Sequence, residues 1–172
     1  MGASSSHAFP LVGQPSITTH ASQLTGSIVD FNKYISLPWF EIARLNNSFQ
    51  QKGTYGKATY SKSPSAESIT VKNESIDTVS GNIVKSIQGS ATREAPNLSS
   101  LRVSFGPLIP SGNYSIVWID SEYSIVAVAS KSKKYLWIMV RNRKNIDSSL
   151  LNACLTWLKH YNFNVSALSW SI

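Results

Sequence analysis

Between Trp39 and Arg141, apolar and polar residues alternate in short runs, and turn residues break the runs repeatedly. Eight runs can be read, at 39–45, 55–61, 68–75, 83–92, 101–105, 114–119, 124–129 and 135–141. The breaks carry turn formers, among them Asn46-Asn47, Ser80-Gly81-Asn82, Ala95-Pro96-Asn97, Pro110-Ser111-Gly112 and Asp120-Ser121. A period of two, bounded this way, marks a half-buried strand. Mostly short connections favour antiparallel hairpins, hence a sandwich or an up-and-down barrel, and leave no room for the crossover helices of a parallel sheet. The period changes once. After an N-cap at Asp147 or Ser148, the residues Leu151, Cys154, Leu155, Leu158 and Tyr161 recur at helical spacing, with Leu150 and Trp157 widening the stripe. This helix is expected to pack on the outer wall of the sheet, and 168–171 to add one more short strand. Asp30 can cap a helical turn ahead of the first run. Residues 1–29 lack periodicity and read as a flexible leader, which leaves 30–172 as a single domain.

Composition narrows the class. The chain has 172 residues, 42% hydrophobic and 10% aromatic but only 15% charged, with a formal net charge of +7. The aromatic content excludes a disordered chain, and the surplus of strand formers over Glu and Lys disfavours a helical bundle. The lone Cys154 forbids an internal disulfide, a CxxC pair and a Cys-rich zinc site. Of three histidines, His7 and His20 fall in the leader, so a metal centre or a Ser-His-Asp triad would rest on His160 alone. No catalytic residue, metal or cofactor is assigned. No apolar run reaches the ~18–20 residues of a spanning helix. The basic residues are scattered without an RNP, KH or helix-turn-helix pattern, which argues against a nucleic-acid partner.

Four blocks carry a family resemblance. Trp39-Phe40-Glu41-Ile42-Ala43-Arg44, followed by Asn47-Ser48-Phe49-Gln50, resembles the first block of the lipocalins, most closely the bacterial and apolipoprotein D-like branch. Leu101-Arg102-Val103-Ser104-Phe105-Gly106-Pro107, the Asp120 to Tyr123 turn, and Tyr135-Leu136-Trp137-Ile138 ending at Arg141 are similar to later blocks, in the same order. The match runs from about Asp30 to Trp170. Two departures stand out: Leu37-Pro38 occupies the place of the family's Gly-x before Trp39, and the Phe-Phe-Gly-Pro pattern is shortened.

The resemblance implies an eight-stranded up-and-down barrel with an external C-terminal helix and a ligand-binding calyx. Simple strand parity then turns Trp39, Glu41, Ala43 and Leu45 inward, together with Val103 and Phe105 on one strand and Tyr114, Ile116 and Trp118 on another. With Tyr60, these are the expected ligand-binding residues, apart from Trp39. That residue, with Tyr123 and Arg141, resembles the family's structural floor, where the guanidinium lies on the indole. Glu41 is expected either to pair with an Arg or Tyr or to anchor a headgroup. Lys131, Lys133 and Lys134 are expected at the open rim, drawing in anionic amphiphiles such as fatty acids or lysophospholipids. The resemblance further implies an extracytoplasmic setting near a membrane, with peripheral association and homo-oligomerisation both open; in the chain as it stands, 8–12 is too short for the apolar stretch of a signal peptide, and removal of one ahead of it stays open. The rival is a filled barrel serving as an interaction module, its interface marked by aromatics such as Phe40 or Trp157. An enzyme on this scaffold ranks third.

Overall fold

The computed structural model describes residues 29–62, 68–93, 100–106 and 111–172. The leader lies outside them except for Val29, which is not loose but buried in the floor of the barrel. The strands are β1 (Trp39–Leu45), β2 (Thr54–Lys62), β3 (Ser68–Asp77), β4 (Ile83–Arg93), β5 (Ser100–Ser104), β6 (Gly112–Ile119), β7 (Ile125–Ser130), β8 (Leu136–Val140) and β9 (Leu168–Trp170). Two helices, α1 (Phe31–Ile35) and α2 (Ser148–His160), flank them. Each strand from β1 to β8 pairs antiparallel with the next, and β1 also pairs with β8, so eight strands close a ring. The closure between β1 and β2 is short, only Trp39–Ala58 and Phe40–Lys57, so an edge remains where the two strands part. The short β9 hangs outside on the upper part of β1, at Ala43 to Leu45.

Three bulges interrupt the ladders: one makes Val84 the extra residue of β4 at the β3–β4 hairpin, and the other two, in β1 and β6, set which wall residues face which way. In β1 the register against β8 runs Glu41–Met139, then Ala43–Ile138, so Ile42 is the extra residue. In β6 the register against β7 runs Ile116–Val128, then Trp118–Ala127, so Val117 is the extra residue. An inserted residue reverses the inward–outward alternation beyond it. Ile42 with Ala43, and Val117 with Trp118, therefore all join one cluster beneath α2. Simple parity fails at these points: Ala43, Leu45 and Trp118 pack on the helix side, not in the calyx, while Arg44 turns inward. The carbonyls freed by the β1 bulge find new partners. Ser171 N donates to Ile42 O at 2.9 Å, and Arg143 donates to the Glu41 carbonyl.

Beneath that cluster's outer surface, α2 starts where Asp147 accepts the amides of Ser149 and Leu150 at 2.8 and 3.0 Å. Its Cys154, Trp157 and Leu158 are buried against the wall. Trp157 is thus a core residue and cannot mark an exposed interface. At the C-terminal end Lys133 Nζ donates to the Tyr161 carbonyl at 2.6 Å and sits over the Phe163 ring, neutralising the end of the helix.

The opposite face of the ring closes over a second cluster, around Tyr34 and Trp39. The Arg141 guanidinium lies 3.6 Å from the Trp39 ring centroid. Its Nη2 donates to the carbonyls of Lys33 and Tyr34, each at 2.9 Å, and its Nη1 to those of Leu37 and Pro38. This explains how the chain enters β1 without the family's glycine: one cation holds the carbonyls at the end of α1 and on both residues of Leu37-Pro38. Tyr123, held at φ +58°, offers its carbonyl to Arg141 Nε at 3.2 Å and its hydroxyl to Asp30 N at 2.8 Å. Burial lowers the Arg141 pKa to about 10, which still leaves it charged at neutral pH.

Replacing Arg141 by Met is expected to cost about 2–4 kcal/mol of unfolding free energy, from lost hydrogen bonds and ring contact together; urea denaturation measures it. Burial also pushes the Cys154 thiol well above its ordinary range. A colourless-to-coloured thiol reagent should therefore label Cys154 only as fast as the whole domain unfolds. Rapid labelling in native buffer would mean that α2 detaches locally.

Candidate functional site

The barrel is not filled. A cavity of about 510 Å³ runs from Tyr34 and Tyr60 near the floor to Phe49, Ser111 and Tyr135 on the loops at the other end. That volume lies within the roughly 300–1,000 Å³ of small-molecule sites. Apolar side chains make most of the wall, among them Val71, Leu101, Val103, Val128 and Met139. Glycine in β4 lets the neighbouring strand and its Phe105 ring approach closely. A Cβ on Gly89 would stand 2.7 Å from the Phe105 ring and 2.2 Å from the Ser104 carbonyl oxygen, so β4 must carry glycine there.

Of the residues expected from the sequence, Glu41, Tyr60, Val103, Phe105 and Tyr114 line this cavity. Ala43, Leu45 and Trp118 do not, for the bulge reason given above. Ile116 faces inward but is buried within the lower cluster, away from the cavity surface. The lysine cluster stands on the β7–β8 turn, at the same end as Tyr135, but does not reach the cavity wall. Lys133 is spent on α2, Lys134 lies over the Tyr135 ring at 5.7 Å, Lys131 is exposed, and none of the three lines the cavity. Two other lysines do, Lys57 and Lys85. Lys57 is paired with Glu74 at 3.3 Å, whereas Lys85 has no ion-pair partner among the described residues.

Glu41 answers the question the sequence left open. Its carboxylate is 1% exposed and ion-paired to Arg44, accepts from Gln50 Nε2 at 2.8 Å and from the Gly56 amide at 3.1 Å. Arg44 completes its own bonding on the carbonyls of Thr54 and Gln51, at 2.8 and 2.9 Å. These contacts fall where β1 leaves β2, whose pairing extends only over Trp39–Ala58 and Phe40–Lys57. Side chains thus serve backbone groups that the ladder abandons. Gly56 is required by the same contact, since its Cβ would stand 2.8 Å from the Glu41 carboxylate. Gln50 extends the network: its Oε1 accepts Trp137 Nε1 and Asn47 Nδ2, both at 2.8 Å. Loop 46–53 is in this way tied to the cavity wall. Sequence reasoning missed Gln50, Trp137, Met139 and Lys85 as wall residues. The polar-apolar-apolar-polar spacing of Glu41 and Arg44 was a usable sign of the bulge, because two buried polar groups on one face of a regular strand stand an even number apart.

Among the described residues no group of acidic, histidine or cysteine side chains could hold a metal, and no helix is long and apolar enough to cross a membrane.

A closed eight-stranded ring, floored by a Trp–Arg stack, open at the far end and flanked by one helix, defines a calyx-type binding protein. Residues 29–172 match the family model described as a lipocalin-like domain. The chain belongs to the lipocalin family. It is 28% identical over 169 residues to the outer membrane lipoprotein Blc of Escherichia coli, covering 98% of this chain and 93% of the relative. Temperature-induced lipocalin-1 of Arabidopsis thaliana is 34% identical over 112 residues, 60% of this chain, and the matched part spans only 58% of that protein. Among solved structures, apocrustacyanin C2 superposes with a TM-score of 0.64 at 16% identity, covering 83% of this chain and 79% of that one. Insecticyanin of Manduca sexta gives 0.64 at 14%, covering 84% and 80%. These likenesses carry the fold. Family membership sets the coarse function, binding of a small hydrophobic ligand.

Substituting Arg44 by Met is expected to destabilise the domain by about 3–5 kcal/mol, since it strands a buried carboxylate. The double change Arg44→Met with Glu41→Gln should cost less than Arg44→Met alone. A double-mutant cycle in urea reads both.

Proposed function

We propose that this lipocalin binds a single-chain anionic amphiphile, a fatty acid or lysophospholipid, with its tail in the cavity and its head beside Lys85. The observation that carries the reading is one unpaired ammonium at the wall of an otherwise mostly apolar chamber. Tail burial supplies affinity at ~25 cal/mol per Å². The cation selects the sign of the head. Among the described residues no nucleophile is hydrogen-bonded to a base in the cavity: Glu41 is locked to Arg44, and the lone thiol is buried in α2 on the other side of the wall. The protein is accordingly read as a carrier or store and not as an enzyme.

The setting follows from the relatives and the rim. The Blc relatives are named outer membrane lipoproteins, which supports an extracytoplasmic location. Around the mouth, Phe49 on loop 46–53 and Val79, Ile83 and Val84 on the β3–β4 hairpin are exposed, Val79 at 95%. The hairpin and loop are tied together, Thr78 N donating to the Gly53 carbonyl at 2.9 Å. An apolar rim of this kind favours loading from a lipid surface.

Lys85→Gln is expected to weaken laurate binding about three- to tenfold and leave the neutral alcohol of equal chain length unchanged. Quenching of Trp137, which lines the cavity, reports both titrations. Equal weakening of acid and alcohol would refute the role of the charge. No fluorescence response to either, with no lipid co-purifying, would return the barrel to an interaction module.

A further inference from the structure

The far end of the cavity is not purely apolar. Tyr34 and Tyr60 both line it, and their hydroxyl oxygens are 3.1 Å apart. Each phenol brings one proton, and one mutual hydrogen bond uses only one of the two. Neither hydroxyl has another hydrogen-bond partner among the described residues. Which proton is left over follows from burial. Tyr34 is fully enclosed, its ring wedged against Phe31, Trp39 and Tyr60, and its carbonyl holds Trp39 Nε1 and Arg141. Tyr60 keeps part of its surface open. Tyr34 is therefore placed to donate to Tyr60, and the Tyr60 proton is the one free to point at a guest. Burial raises the pKa of both phenols above the usual value, so both stay neutral donors across the physiological range.

We infer that the cavity selects chain amphiphiles carrying a hydroxyl or carbonyl oxygen at the buried end, received by the Tyr60 hydroxyl with Tyr34 positioned behind it. The inference rests on the cavity being a ligand chamber, as proposed above. The register sets the span. Tyr60 pairs with Val71, which pairs with Gly89, and Lys85 lies four residues up the same strand, roughly 13 Å at the usual rise. A guest long enough to reach from Lys85 to Tyr60 is thus recognised at both ends: by charge at the mouth and by a neutral hydrogen bond at the floor. An unfunctionalised tail leaves the Tyr60 donor facing hydrocarbon, which costs binding, while an oxygenated tail is penalised in any cavity that lacks a partner for it.

The test compares ω-hydroxylaurate with tridecanoate, in which a methyl group replaces the hydroxyl, by calorimetric titration of the whole chain. The wild type is expected to bind ω-hydroxylaurate at least as tightly as tridecanoate. Tyr60→Phe should weaken ω-hydroxylaurate tenfold or more and leave tridecanoate unchanged or slightly tighter. Tyr34→Phe, which spares the Tyr60 proton, should keep most of the preference. If the wild type binds ω-hydroxylaurate tenfold more weakly than tridecanoate, the floor is simply hydrophobic and the inference fails, although the chamber reading survives. Failure of both acids to bind overturns the chamber reading itself and this inference with it. The wild-type ratio decides the matter even if Tyr60→Phe does not fold.

Discussion

The Glu41–Arg44 ion pair can sit in the barrel wall only because β1 carries one residue more than the strand it pairs with. Without the extra Ile42, residues three apart would face opposite ways, and one of these charges would be pressed beneath α2. With it, both charges turn to the same side, and Ile42 and Ala43 together deepen the helix-side core. The bulge also ends the pairing of β1 with β2 and hands the upper part of β1 to β9. The polar network on Glu41, Arg44, Gln50 and Gly56 then bonds what the ladder no longer does. Wall, loop 46–53 and the attachment of the chain's last strand all depend on this one residue.

A second bulge, in β6, mirrors the first. Val117 and Trp118 go under α2 as a pair, and the cost is visible: Trp118 Nε1 is buried with no hydrogen-bond partner among the described residues. The indole area buried offsets the lost bond, since a Trp side chain removes a large apolar surface from water. The cavity gains by this. A second inward Trp would have occupied space that Val128 now bounds.

The strands and the external helix were legible in the residue pattern because turn chemistry and a change of period are local signals, whereas closure into a barrel rather than a sandwich came from the family resemblance. β1 and the Asp147 cap fall where alternation and capping place them. The cavity wall was legible only as far as the first bulge on each strand. Glu41 and Tyr114 precede the inserted residues and keep the expected facing; Ala43, Leu45 and Trp118 follow them and do not. Along 116–119 every residue is apolar, so nothing in that stretch could have announced the slip. In β1 the spacing of Glu41 and Arg44 did announce it. Gln50 and Trp137 were beyond reach for a different reason, since they meet across 87 residues of chain through a loop whose course local chemistry does not set.

The positive charge of the chain invites an electrostatic reading that the individual cations refuse. Arg141 is spent on the floor carbonyls, Arg44 on Glu41, and Arg143 on the Glu41 carbonyl and the Ser171 carbonyl. Lys133 caps α2, while Lys57 and Lys72 share Glu74. A guanidinium suits these posts because its planar fork reaches several carbonyls at once and it remains charged when partly buried. Net charge alone therefore says little about the cavity wall. Of the two lysines that line the cavity, Lys57 is paired with Glu74 and Lys85 alone has no ion-pair partner among the described residues, on a strand whose inward face is otherwise Ile87, Gly89 and Ala91. On the reading proposed above, recognition by one cation is short-ranged and depends on where along the guest the charge lies, so chain length and head position would be read together. A diffuse basic rim would have registered only the sign.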